Sequence, residues 1–173
     1  MKSNSSIGIT GRVEIFNKET GEQLWGDSNM ITNGGRQVFA MLASANWDSS
    51  EIYNNVKEFS PRFIHIGSSS WEGSDFNADI QTLKEPKDTF IPYTNVFRGF
   101  DLTQESQRTV QLGGNSVTYQ FDYVNLSKDA LDIKELGLYS KNRNLLAYEP
   151  IRGTKISAEL EMTLVIKWII SFK

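Results

Sequence analysis

Glu135 is the residue whose setting most invites a chemical reading. It lies in the stretch IKELGLYSKNRNLLAYEPI, Ile133 to Ile151, among apolar residues and beside a glycine and a tyrosine. A carboxyl in such surroundings can be tuned into an acid–base catalyst. It can equally be a structural acid held by a partner. Strand alternation sets Ile133, Glu135, Gly137 and Tyr139 on one face, with Leu136 and Leu138 on the other. An acid covered there needs a cation or backbone amides. Arg36, in TNGGRQVF, is the candidate cation. No second acid, base or nucleophile is identifiable around Glu135, so it reads as structural.

The remaining candidates are weaker. His65 is the only histidine, which rules out a cluster of imidazole ligands, and its neighbours FIHIG form a strand pattern rather than a nucleophile elbow. GSSSWEGSD, with Gly67 and Gly73, has neither the lysine nor the following helix of a phosphate loop, and reads as a surface turn. Asp75, Asp79, Glu85 and Asp88 are spread out and lack the spacing of a calcium loop. The chain has no cysteine, so disulfides, thiolate catalysis and cysteine metal sites are excluded. No catalytic, cofactor-binding or metal residue is assigned, and the expectation is a non-enzyme without a cofactor.

Bulk properties narrow the classes further. At 173 residues the chain is expected to form one domain and to bury roughly 70% of its unfolded surface. The net charge is −3, with acidic and basic residues interspersed, which is not the footprint of a nucleic-acid binder. No apolar run is long enough for a membrane span, and the N-terminus MKSNSSIGITGRVEIF has no apolar signal region. Synthesis in the cytosol is the expectation.

The elements that must position these residues are mostly strands. IGITGRVEIF alternates, NKETGE supplies turn chemistry with Gly21 available for a positive φ, and QLW starts a return strand. Residues 1–27 therefore read as a hairpin. Val38, Met41, Leu42 and Ala45 fall at helical spacing after Thr32 or Asn33 as a cap, which predicts a short helix from about Gly35 to Ser44. RFIHIG and SVTYQFDYVN alternate as strands, and ALDIKELGLYS and LLAYEPI form a hairpin about KNRN. Residues 71–105 read as an extended connection with one short strand near TNVFRGF. In ELEMTLVIKWIISF, seven large apolar residues from Leu160 to Phe172 occupy every second position, which predicts a central core strand. The expected fold is mainly β: an antiparallel β-sandwich, jelly-roll-like, with one short helix and a long loop excursion.

Six aromatic residues, Trp47, Trp71, Phe76, Phe90, Phe97 and Phe100, fall on the segments read as loops. Two readings stand side by side. They are interface anchors, or they pack back on the sheet as a satellite core.

The order of motifs carries a resemblance. SNMITNGGRQVFAMLA is followed by RFIHIGSSS, DIQTLKEP, VTYQFDY, IKELGLYSKNRNLLAYEPI, TKIS and LEMTLVIKWIISF. This succession resembles structural proteins of tailed bacteriophages and is similar in pattern to their tail-collar and tail-fibre attachment domains. The matching positions are Gly67, Leu83, Glu85, Glu135, Gly137, Leu138, Tyr139, Leu145, Leu146, Ala147 and Lys155. The resemblance implies a virion component: β-sandwich subunits in a symmetric homo-oligomer at the tail, neck or baseplate, contacting other virion proteins and neither nucleic acid nor membrane. The alternatives are a capsid decoration or head-fibre protein and, from another class, a carbohydrate-binding receptor-recognition module using Trp47 or Trp71 as stacking platforms. A hydrolase acting through Glu135 or His65 is the last.

Overall fold

The computed structural model describes residues 8–44, 57–98, 116–126, 129–159 and 161–172. The fold is mainly β and antiparallel, with one α-helix of more than a single turn among the described residues. In chain order the elements are β1 (Ile9–Asn17), β2 (Gln23–Ile31), α1 (Asn33–Ser44), β3 (Pro61–Gly67), β4 (Pro86–Pro92) and β5 (Asn95–Arg98). They continue with β6 (Ser116–Val124), β7 (Leu131–Ile133), β8 (Glu135–Ser140), β9 (Leu145–Pro150), β10 (Ile156–Ala158) and β11 (Thr163–Phe172). Among the described residues nine strands form one sheet in the order β4-β3-β8-β9-β2-β1-β11-β6-β5, and β7 pairs with β10 separately.

Local chemistry explains the first hairpin. The Asn17 side-chain oxygen accepts the amides of Glu19 and Thr20, and Gly21 takes the left-handed conformation at φ 71°. β1 then pairs with β2 from Gly11↔Asn29 to Phe16↔Gln23. α1 begins at Asn33, two residues before the expected start, directly after its cap Thr32: the hydroxyl accepts the Gly35 amide at 3.0 Å and donates to the Leu145 carbonyl at 2.7 Å.

β11 is central, with a nine-rung ladder to β1 on one side and another to β6 on the other. Leu164, Ile166, Trp168 and Ile170 are fully covered, each stabilising the fold by about 1.5–3 kcal/mol. The strand starts at Thr163 rather than at Glu159. Glu161 adopts φ 61°, a turn conformation that interrupts the alternation before it.

The long connection expected over 71–105 is shorter than that. Its middle forms two strands, β4 against β3 and β5 against β6, with prolines at both ends of β4 where an edge position needs no amide. The chain passes from one to the other within two residues: the Tyr93 amide donates to Arg62 and the Thr94 amide to Gln120. β4 and β5 are the two ends of the strand order, so this segment draws both edges of the sheet together. β2 also changes partners, leaving β1 and meeting β9 at Met30↔Tyr148 and Ile31↔Ala147.

The result is a curled sheet enclosing one core. Val13 and Ile15 of β1, Phe121 of β6 and the buried side chains of β11 meet Ile64 and Ile66 of β3, Leu136 and Leu138 of β8 and Ala147 of β9. Such packing is compatible with the expected sandwich, although its two halves belong to one continuous sheet. None of the described helices is long and apolar enough to cross a membrane.

Candidate functional site

Strands β8 and β9 are buried on both faces. One face serves the main core. The other is covered by the segment from Ser68 to Glu85, which crosses it as a strap whose ends are joined by the Ser68 amide and the Glu85 carbonyl. Beneath it lies a second apolar cluster of Leu83, Tyr139, Leu145 and Tyr148, with Trp71, Phe76, Ile80 and Phe90 packed against it.

Glu135 ties the strap down. Its side chain is fully buried, and its carboxylate accepts the Glu85 amide on Oε1 at 2.8 Å and the Lys84 amide on Oε2 at 3.0 Å. The Tyr148 hydroxyl donates to the same Oε2 at 2.8 Å and accepts the Trp71 amide at 2.9 Å. The Tyr139 hydroxyl accepts the Leu83 amide at 3.2 Å. Four strap amides are therefore held by three sheet side chains. The strap's backbone is the group recognised, so the sequence of Lys84 and Glu85 matters little to the clamp.

The expected partner of Glu135 is thus corrected. It is not Arg36, whose side chain is exposed on α1, but the two successive amides and a phenol. A carboxylate meeting convergent N–H groups needs no cation. Burial pushes the Glu135 carboxyl above its ordinary range, while these hydrogen bonds pull it down. Burial also raises the Tyr139 phenol to about 12 and holds Tyr148 well above the usual phenol range. The carboxylate is fully covered, so Glu135 could meet a substrate only if the strap were released.

Two glycines make room for this arrangement. A Cβ on Gly67 would overlap the Glu135 carboxylate, and one on Gly137 would lie 2.7 Å from the Tyr139 ring and 2.8 Å from Leu145. Leu138 is in the main core, and Leu146 and Ala147 are fully buried. Lys155 stands apart, in an exposed ion pair with Asp132 at 3.2 Å. Gly67, Leu83, Glu135, Gly137, Tyr139 and Leu145 converge on the clamp, which Glu85 enters through its backbone amide alone.

The aromatic candidates divide. Trp71, Phe76 and Phe90 are half-buried and follow the satellite-core reading. The Trp71 indole also donates to the Thr82 carbonyl, and Arg152 and Arg143 stack on Phe76 and Phe90 at 4.8 and 5.0 Å. Trp47, Phe100 and the side chain of Phe97 lie outside the described residues. His65 is buried between the Phe90 ring, at 4.5 Å, and the Tyr139 ring, at 6.1 Å.

Beside the strap, a cleft of about 650 Å³ lies between the start of α1, residues 78–82 and the β8–β9 turn. Its ionisable residues are Asp79, which accepts a hydrogen bond from Asn33 at 2.7 Å, and Arg143. The rest of the lining is carboxamide, threonine and apolar, with no nucleophile set beside a base. Among the described residues no three acidic or histidine side chains converge as a metal site.

Tyr148 escaped the sequence reading. The signal was the turn KNRN, which fixes the β8–β9 register: Gly137 pairs with Tyr148, placing the phenol diagonally beside Glu135 on the same face. Comparison with known protein families, curated proteins and solved structures finds no match.

Proposed function

We propose that this chain is a non-enzymatic structural component of a tailed-bacteriophage particle. In this reading it is a homo-oligomeric adaptor at the tail, neck or baseplate that joins other virion proteins or fibres. One observation carries the reading most. Six of the positions responsible for the resemblance, spread from Gly67 to Leu145, serve a single clamp that fixes the strap to the sheet. A motif that builds a rigid scaffold, with the Glu135 carboxylate engaged by two backbone amides and a phenol, suits a protein whose work is holding neighbours.

The test is to locate the protein in purified particles by electron microscopy and to measure its mass in solution by light scattering. The expected result is density at the tail, neck or baseplate, in a copy number set by the particle's rotational symmetry. A place on the capsid surface would select the decoration reading. Particles free of the protein would overturn both.

A further inference from the structure

The two halves of the curled sheet meet at one weak seam. β2 shares only two rungs with β9, Met30↔Tyr148 and Ile31↔Ala147, and the next positions along the two strands are Asn29 and Glu149. Glu149 pairs with Leu136 across β8, so its carboxyl lies on the core side, where it is only 4% exposed. Asp27 pairs with Val13, a core residue, and so lies on the same side, but it is exposed and its carboxylate accepts the Ser28 amide at 2.7 Å. Between these acids on β2, the Asn29 carboxamide lies over Gly11 with both polar atoms buried and without a partner among the described residues.

The charged groups around Glu149 are few. Asp27 comes from β2, and Arg152 from the segment after β9. β8 presents Leu136 to it, and α1, which packs on β9, carries one ionisable residue, Arg36, exposed on its surface. Arg152 is itself exposed and stacked on Phe76.

We propose that this seam is a proton-operated latch, shut while Glu149 carries its proton and loosened when the carboxyl ionises against Asp27. The neutral acid fits a core face. The anion there lacks a hydrogen-bond donor among the described residues and has a like charge for a neighbour, so its burial is costly. Burial first, and Asp27 second, push the Glu149 carboxyl up to about 8, with Arg152 offsetting part of the rise. An acid whose proton is held more tightly in the fold favours the closed seam at low pH. Its contribution fades as pH rises from the ordinary carboxyl range through about 8. With two rungs to break, opening is local.

The experiment follows amide exchange at Thr32, whose N–H donates to the Leu146 carbonyl across the seam, with Ile166 of β11 as reference. Intact protein and Glu149→Gln are compared at matched pH from about 6 to 9. From about pH 6 to about 8, protection at Thr32 relative to the Gln variant is expected to fall about tenfold per pH unit and then to level off, with Ile166 unchanged. Asp27→Asn, which keeps the acid and removes its repulsion, is expected to make the fall level off at lower pH. Identical profiles for intact protein and Glu149→Gln would overturn the proposal. If the Gln variant fails to fold, a levelling-off point unmoved by Asp27→Asn does so instead. The readout needs only the isolated chain, so it stands or falls separately from the assembly reading.

Discussion

Gly67 and Glu135 face each other across the β3–β8 ladder, and the Glu135 carboxylate fills the space that a Cβ on Gly67 would occupy. Gly67→Ala is therefore expected to destabilise the protein by about 1–3 kcal/mol, as overpacking does. Glu135→Ala should relieve part of that cost in the double variant. Urea denaturation of the four proteins of this cycle measures the coupling. Simple additivity would show that the two residues do not compete for space.

Removing the carboxylate alone is expected to be worse than altering the glycine. Glu135→Ala leaves the Lys84 and Glu85 amides and the Tyr148 hydroxyl without their acceptor, at a cost of about 1–3 kcal/mol for each group that stays dry. Glu135→Gln keeps the shape but turns an N–H toward a donor, so it too should destabilise. Arg36→Ala should be nearly neutral. A cycle between Arg36 and Glu135 is expected to show no coupling beyond about 0.5 kcal/mol.

The start of α1 offers an internal contrast. On helix propensity alone, alanine at Gly34 or Gly35 should gain up to about 1 kcal/mol. A Cβ on Gly34 finds ordinary contact with the Leu145 carbonyl at 3.5 Å, whereas one on Gly35 would overlap the Leu146 carbonyl. Thermal denaturation should show Gly34→Ala neutral or stabilised and Gly35→Ala destabilised. Equal effects would mean that α1 does not sit this close to β9.

Alkaline titration reports on the clamp directly. Tyr139 is raised from an ordinary phenol value of 10 to about 12, and Tyr148 is raised as well. The fold favours both neutral phenols, so the stability they support is intact below pH 10. It is lost as pH climbs through the folded values, by about 1.4 kcal/mol per pH unit for each group. Phenolate absorbance should show Tyr139 and Tyr148 ionising late, together with the unfolding transition. Six phenols titrating together near their ordinary value would contradict the buried clamp.

Much of the scaffold was legible because strand periodicity is a local property. Alternation identified the core faces of β6 and β11, and Asn17 with Gly21 marked the first turn. The helix, with Thr32 or Asn33 as its cap, was found from type and spacing, while its start was placed two residues late, at Gly35, because two glycines weaken the local helix signal. β4 was hidden by its prolines, which deplete the usual strand signal and are tolerated only because its outer edge is unpaired. The clamp was half legible. A buried acid was foreseeable from Ile133 to Tyr139, but its donors are backbone amides fifty residues away, which carry no residue-type signal.

The sequence by itself determined the class of fold, the core faces of its main strands, the turns and the absence of thiol chemistry, because those depend on side-chain type and spacing between near neighbours. Only the tertiary structure decided what satisfies Glu135, that Trp71, Phe76 and Phe90 pack inward, and that Glu149 stands on a core face beside Asp27. These are long-range pairings fixed by sheet register and by where the strap lands, and a charge responds to whatever the completed fold brings near it.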